Sequence, residues 1–266
     1  MLYWPREPYP MHAALIVNQV TADREANLAQ VACAVSAAAA SGAELIVLPE
    51  MAATGLVNNG DPDHDLPLGE TIPGPLTRRF GRVARRRGLY LAIGIMERVG
   101  RALYDSAVLL SPEGRIILHY RRIQPQWHAS SADPSIYRQG ELLPVANTPL
   151  GRFVFLICGD LFDDSITTRV HGLHPDWVLF PFARCFSDGS RSQRRWEQRE
   201  LPQYAKQVGK IGCTTLMANY CSERDLGSYF GGAMVVSGSG EVVAHIPLGE
   251  PGTLLVDLAT PVSGES

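Results

Sequence analysis

His12-Ala13-Ala14-Leu15-Ile16-Val17-Asn18-Gln19, followed by Leu45-Ile46-Val47-Leu48-Pro49-Glu50, is the stretch that decides how this chain folds. The first run reads as a buried strand. The second is a continuous apolar run, the mark of a strand covered on both faces. Between them Thr21 or Asp23 can cap a helix, and Leu28, Val31, Ala32 and Val35 recur at helical spacing before Ser41-Gly42 ends it. Strand, helix and strand in so short a span make a βα unit. The spacing next predicts a helix over 76–87, a strand over 90–95, and strands over 106–110 and 116–120 about a turn at 111–114. Strands are predicted over 153–158 and 177–180 with a helix between them, then a helix over 196–208 and an extended segment over 214–218. Strands around a turn at 237–240 close the chain. Helices alternate with strands first and hairpins mix in later, which gives one α/β domain built on a mixed sheet or on two packed sheets. That domain is expected over 11–266, with Met11 an alternative start, behind a flexible N-terminal extension over 1–10.

The 266 residues are 45% hydrophobic and 19% charged, with a net charge of −3. That is enough apolar material for a sizeable core and too little charge for disorder. Basic and acidic residues balance at 24 and 27, which argues against a nucleic-acid partner. No apolar run approaches the ~18 residues that cross a bilayer, so no membrane partner is expected. Residues 1–10 carry three prolines and no apolar stretch of the kind a secretory signal needs. The five cysteines, Cys33, Cys158, Cys185, Cys213 and Cys221, are odd in number and form no CxxC pair. Free thiols in a reducing, cytoplasmic compartment are the expectation. There is no Gly-rich phosphate loop or dinucleotide fingerprint, so no cofactor is expected. What remains is an enzyme acting on a small molecule.

Polar residues end three apolar strands, where α/β proteins place their working groups. Glu50 follows Leu45-Ile46-Val47-Leu48-Pro49; by itself it could equally be an exposed loop carboxylate. Arg121-Arg122 follow Tyr120, a basic pair that alone reads as solvated surface. Cys158 follows Phe153-Val154-Phe155-Leu156-Ile157 and precedes Gly159-Asp160. Most buried cysteines are small hydrophobes, but this one is predicted at the strand's last position, at a turn whose N–H groups could hold an oxyanion. His171, His174 and Asp176 could ligate a metal, yet no third His or Cys stands at ligand spacing; none is expected. The arginines 78, 79, 82, 85, 86 and 87 read as one solvated helix face. Arg191, Arg194, Arg195 and Arg199, after Phe180-Pro181-Phe182-Ala183, would lie near a pocket rim and could grip a substrate carboxylate.

In order and spacing these pieces resemble the nitrilase superfamily, the carbon–nitrogen hydrolases. Leu48-Pro49-Glu50, Tyr120-Arg121-Arg122 and Ile157-Cys158-Gly159-Asp160 look like that family's Glu–Lys–Cys landmarks, with 72 residues from Glu50 to Arg122 and 36 from Arg122 to Cys158. Gly94-Ile95-Met96-Glu97 with Tyr104-Asp105-Ser106-Ala107 is similar to its hairpin region. Gly140 after Tyr137, the stretch 212–219 and the stretch 231–240 are similar to its later motifs. The resemblance runs from about Met11 to Asp257. It implies an αββα sandwich that pairs into a homodimer, a small-molecule substrate and no metal. It further implies Glu50, Arg122, Cys158 and Asp133 as catalytic residues. Gly159, Phe162, Phe182, Ala183 and Trp127 are expected to bind substrate.

The departures are as informative. Arg122 stands where the family has its catalytic lysine, and Asp133 where a supporting glutamate would fall. Gly159 replaces an aromatic, and Asp163-Asp164-Ser165 replaces F-P-E. Lys210-Ile211 stands for an E-N pair. A cysteine thiolate attacks a carbonyl or nitrile carbon while a carboxylate takes its proton and later activates water. An arginine can hold the developing oxyanion but cannot lend a proton near neutral pH. The expected activity is therefore hydrolysis of a small amide, carbamoyl or nitrile-type substrate through a thioester on Cys158. Capture of the thioester by an amine, or a catalytically silent scaffold, are the alternatives.

Overall fold

Two six-stranded sheets pack face to face, and each carries helices on its outer side. The computed structural model describes residues 10–259; all of the expected N-terminal extension except Pro10 lies outside them. The first βα unit is β1 (Pro10–Val17), a short β2 (Gln19–Val20), α1 (Arg24–Ala40) and β3 (Leu45–Val47). The four-residue α2 (Pro62–Asp65) and then α3 (Pro75–Arg87) lead to a meander of β4 (Tyr90–Val99), β5 (Ala102–Leu110) and β6 (Ile116–Arg121). Next come β7 (Ala146–Thr148), β8 (Gly151–Phe155), α4 (Asp164–Gly172) and β9 (Trp177–Pro181). The chain continues through α5 (Gln193–Arg195), α6 (Leu201–Ile211), β10 (Thr214–Ala218) and β11 (Cys221–Ser222). It closes with β12 (Ala233–Val236), β13 (Val242–Ile246) and β14 (Gly252–Ala259).

One sheet has the order β14-β1-β3-β4-β5-β6 and the other β13-β12-β10-β9-β8-β7, while β2 and β11 form a small ribbon. Both sheets have the same plan: a parallel trio (β1-β3-β4, and β8-β9-β10) with one antiparallel strand on one side and two on the other. Strand alternation separates the layers. Ala13, Leu15 and Val17 of β1 join Phe153 and Phe155 of β8 in the core between the sheets. Ala14 and Ile16 turn outward against Leu28, Val31 and Val35 of α1 and Phe80 of α3. Val154 of β8 does the same against Val170 of α4 and Val208 of α6. This is the αββα sandwich. Among the described residues no helix is long and apolar enough to cross a membrane.

Local chemistry sets the element ends. The Asp23 carboxylate accepts from the Ala26 N–H at 3.0 Å and caps α1. Asp163 does the same for α4 through the N–H groups of Ser165 and Ile166, so the divergent Asp163-Asp164-Ser165 segment starts a helix. The six arginines of α3 lie opposite its buried face of Leu76, Phe80 and Ala84. The helix read over 196–208 begins earlier, at Gln193, and contains a π-turn over Trp196–Glu200 in which the Leu201 N–H reaches the Trp196 carbonyl. Pro202 explains it, since its ring has no N–H to donate and displaces the preceding turn.

At Gly94 on β4, backbone meets the backbone of the Glu50 segment. A Cβ there would lie 2.5 Å from Glu50 Cα, 2.6 Å from Pro49 O and 2.8 Å from Met51 N. None of these atoms can swing away. Gly94→Ala is expected to cost about 2–3 kcal/mol in urea denaturation. Gly172→Ala, where a Cβ meets open space, serves as the near-neutral control. Equal effects would mean that the clearance at Gly94 is not needed.

Candidate active site

The ends of β3, β6, β8 and β9 bring the polar groups together. Beyond β3 the chain stays on β4: the Leu48 N–H donates to the Ala92 carbonyl at 2.9 Å and the Gly94 N–H to Pro49 O at 3.1 Å. Glu50 follows at once and is fully buried. At the end of β6, strand alternation sends Tyr120 and Arg122 to one face and Arg121 to the other. Arg121 binds Glu97 at 2.6 Å and lies over the Tyr104 ring, partly in solvent. Arg122 turns inward and is 2% exposed. Its N–H donates to the Asp105 carbonyl at 2.8 Å, and its own carbonyl accepts from the Gly140 N–H.

The buried guanidinium has two acids. Arg122 Nη1 donates to Glu50 Oε1 at 3.2 Å and to Asp105 Oδ2 at 3.3 Å, and Nη2 donates to Gln124 Oε1 at 3.3 Å. Glu50 and Asp105 are both fully buried. Their other oxygens, Glu50 Oε2 and Asp105 Oδ1, have no hydrogen-bond partner. Burial first, and then the charges of Asp105 and Cys158, push the Glu50 carboxyl well above its ordinary range against the pull of Arg122. Burial likewise raises Asp105. Arg122 is held more firmly protonated than usual, because the charges of Cys158, Glu50 and Asp105 outweigh its own burial.

Cys158 is placed differently from the sequence expectation. β8 ends at Phe155, and Cys158 opens a 3₁₀ turn, Cys158–Phe162, with φ +44°. A left-handed conformation costs a residue with a side chain about 1–2 kcal/mol. Asp160 holds the turn in place. Its Oδ2 accepts from Ile157 N–H (2.9 Å) and Tyr120 O–H (2.7 Å), and its Oδ1 from Ile123 N–H (3.2 Å) and Gln124 N–H (2.8 Å). One carboxylate thus ties the cysteine turn to the end of β6. Burial raises its pKa to about 6 in spite of Arg122 and these donors. The Cys158 thiol donates to the Ala183 carbonyl at 3.6 Å.

The structure brings together Glu50, Arg122, Cys158, Gly159 and Ala183 of the expected site. Phe182 is buried in the layer behind Ala183, against Tyr204. Phe162 is 41% exposed and stands edge-on to Tyr204 at 4.8 Å. Trp127 is buried beside Met51 and Tyr137, on the Glu50 side. Asp133 is not brought in: it is exposed and caps a turn, accepting from the Ser135 N–H at 2.8 Å. The second acid beside Arg122 is Asp105, which sequence spacing missed. Its signal was an acid in the middle of an otherwise apolar strand, a residue that must find a partner when buried. The rim arginines are also redistributed. Arg191 binds the carbonyls of Gly249 and Ser222, and Arg195 binds Asp188. Arg184, next to Ala183, is the one whose charge interacts with Cys158, while it donates to Glu200 at 2.8 Å.

The sequence profile of the carbon-nitrogen hydrolases matches residues 12–265. Nitrilase 2 of Arabidopsis thaliana is 25% identical over 209 residues, 70% of this chain and 57% of that protein. A formamidase of Bacillus thuringiensis is 34% identical over 123 residues, 45% of this chain and 35% of its own length. The chain thus spans less than two thirds of the curated relatives it matches. Among solved structures, an amidase from Nesterenkonia sp. superimposes with a TM-score of 0.75 at 23% identity, covering 94% of this chain and 90% of that one. A carbon-nitrogen hydrolase from Helicobacter pylori gives 0.80 at 17% identity, covering 94% and 89%. A variant of the Nesterenkonia amidase carries the acetamide moiety of fluoroacetamide on its active-site cysteine.

The buried acids make stability depend on pH with a definite sign. Asp160, at about 6 when folded, holds its proton more tightly than in the unfolded chain. Its stabilising contribution is complete below the ordinary carboxylate range and is lost as pH rises through about 6. Glu50 and Asp105 act in the same direction. Acids shifted the other way, such as Glu97 at about 2, act at lower pH. Urea denaturation is expected to show stability falling between pH 5 and 7, and falling less in Asp160→Asn. Stability that rises across this window would contradict the raised carboxyl.

Proposed function

Because the chain belongs to the carbon–nitrogen hydrolase family, we propose that it hydrolyses the C–N bond of a small amide through a thioester on Cys158. The observation that carries this reading is the buried Glu50–Arg122–Asp105 cluster beside a cysteine held at positive φ. A guanidinium buried 2% exposed among acids is costly to build for packing alone. Nitrilases stand beside a formamidase among the similar proteins, so the test sets a nitrile against the amides.

In this reading Cys158 gives its proton to the Glu50–Asp105 pair, and its sulfur attacks the amide carbon. Arg122 holds the negative oxygen that forms. The tetrahedral intermediate collapses with cleavage of the C–N bond, and the departing nitrogen takes the proton back from the acid pair. Water then gives that pair a proton and attacks the thioester; the acid product leaves and the sulfur regains its proton. Two carboxylates that repel each other across one guanidinium suit this work, because the pair holds one proton at a pH where an isolated glutamate holds none. The proton shuttle falls to Glu50 and Asp105, since Arg122 stays charged throughout.

The test is acylation of Cys158, followed by intact mass, with formamide, acetamide, butyramide and propionitrile. Cys158→Ala is expected to lose turnover roughly 10³-fold or more while keeping the fold. Arg122→Ala is expected to lose about 10²- to 10³-fold. Unchanged turnover in Cys158→Ala would sink the nucleophile assignment, and silence of wild type across the panel would favour a scaffold. Acylation is also expected to fall on acidification, with a midpoint above the ordinary glutamate range. Asp105→Asn removes a charge that raises Glu50, so the midpoint should move to lower pH. A midpoint that stays put would remove Asp105 from the proton shuttle.

A further inference from the structure

The tightest clearance beside the nucleophile is at Gly159. A Cβ at this position would lie 2.6 Å from Arg122 Nη2 and 2.8 Å from Gln124 Oε1. Gly159 is not among the residues with positive φ, so its backbone conformation is open to any residue. Space alone demands glycine here.

The obstructing atoms are not loose ends. Arg122 Nη1 is held by Glu50 and Asp105, and Nη2 by Gln124 Oε1. That same Oε1 accepts from the Gln126 N–H at 2.8 Å. A methyl group at 159 would therefore push on a guanidinium that is itself buried and held at both terminal nitrogens, where neighbours give little. A lysine at 122 would end one atom short of the fork and place nothing where Nη2 lies. Without Nη2 to bind, the Gln124 amide could also turn aside.

We propose that Gly159 is a positioning residue that admits the guanidinium, so that residues 122 and 159 form a steric lock which selects arginine as the cation of this site. The two departures from the resembled family, arginine for lysine and glycine for an aromatic, are then one change made twice. The lock itself is a matter of packing. Its catalytic consequence, an oxyanion-holding Nη2 kept against the residue that follows the nucleophile, rests on the function proposed above.

The experiment is a double-mutant cycle of wild type, Gly159→Ala, Arg122→Lys and the double variant. Unfolding in urea and acylation of Cys158 by formamide, acetamide and butyramide are the two readouts. Gly159→Ala is expected to raise the unfolding constant at least tenfold beside Arg122 and at most threefold beside lysine. If Arg122→Lys does not fold, Arg122→Met takes its place in the unfolding measurement, since it too lacks Nη2. Acylation is expected to fall at least tenfold in Gly159→Ala and to recover in the double variant, where a shorter cation meets the added methyl. The same factor in both backgrounds overturns the lock. Coupled unfolding with no acylation in any of the four proteins supports the lock and overturns the catalytic reading.

Discussion

A single guanidinium buried between two carboxylates is the interaction on which the rest of this structure depends. Removing an ion from water costs several kcal/mol even after the protein relaxes, and the cost is recovered only with good geometry and further hydrogen bonds. Arg122 meets that condition only in part: Nη1 reaches Glu50 at 3.2 Å and Asp105 at 3.3 Å, while its Nε and one oxygen of each acid have no hydrogen-bond partner. The acids come from just beyond the end of β3 and from the middle of β5, so these two interior strands of the first sheet have to be built to fit. The clearance at Gly94 brings the Glu50 backbone onto β4. On the other side Asp160 joins the second sheet to the same point, accepting from the backbone on both sides of the junction. The two sheets are therefore joined at one end by charge and hydrogen bonding, and along their length by apolar packing.

This arrangement also accounts for the electrostatics. One buried cation cannot balance Glu50, Asp105 and Asp160 all ionised in a dry interior, and the carboxyls respond by holding their protons to higher pH. Glu97 shows the contrast. It is just as buried, yet Arg121, His119 and Ser106 all donate to it, and its pKa falls to about 2. Position in the strand explains the difference: Arg121 and Arg122 are neighbours in sequence on opposite faces of β6. One neutralises a structural acid near solvent, and the other is shared in the interior.

Much of this was legible in the sequence, for identifiable reasons. The strands covered by helices appear as unbroken apolar runs, so the sequence places β1, β3 and β9 within a residue or two, and of the two caps it offers for α1, Thr21 and Asp23, the structure uses Asp23. Glu50, Arg122 and Cys158 each follow an apolar run, but alone the first two read as loop or surface; their order and spacing, through the resemblance to the carbon–nitrogen hydrolases, single out all three. Asp105 was not legible, because the alternation of a strand shows which residues share a face but not what another strand places opposite them. Asp133 was placed by spacing from Tyr137, and spacing through a loop fixes no direction; the loop turns it to solvent. The apolar run continues to Cys158 and so predicts it as the last residue of a strand, while the hydrogen bonding to Asp160 draws the chain off the sheet first. The π-turn before α6 needed Pro202 to be weighed against a strong helical pattern, and periodicity carries no such penalty.

We propose that these surroundings, and not exposure, make Cys158 the reactive thiol. Cys33 is exposed and Cys158 only partly so, so accessibility by itself favours Cys33, while a nucleophile placed beside Arg122 and the buried acids would react first. The most direct measurement treats the protein with limiting fluoroacetamide and locates the modified residue by peptide mass mapping. The expected result is alkylation at Cys158 ahead of Cys33. Alkylation led by Cys33, with Cys158 unmodified, would contradict the account.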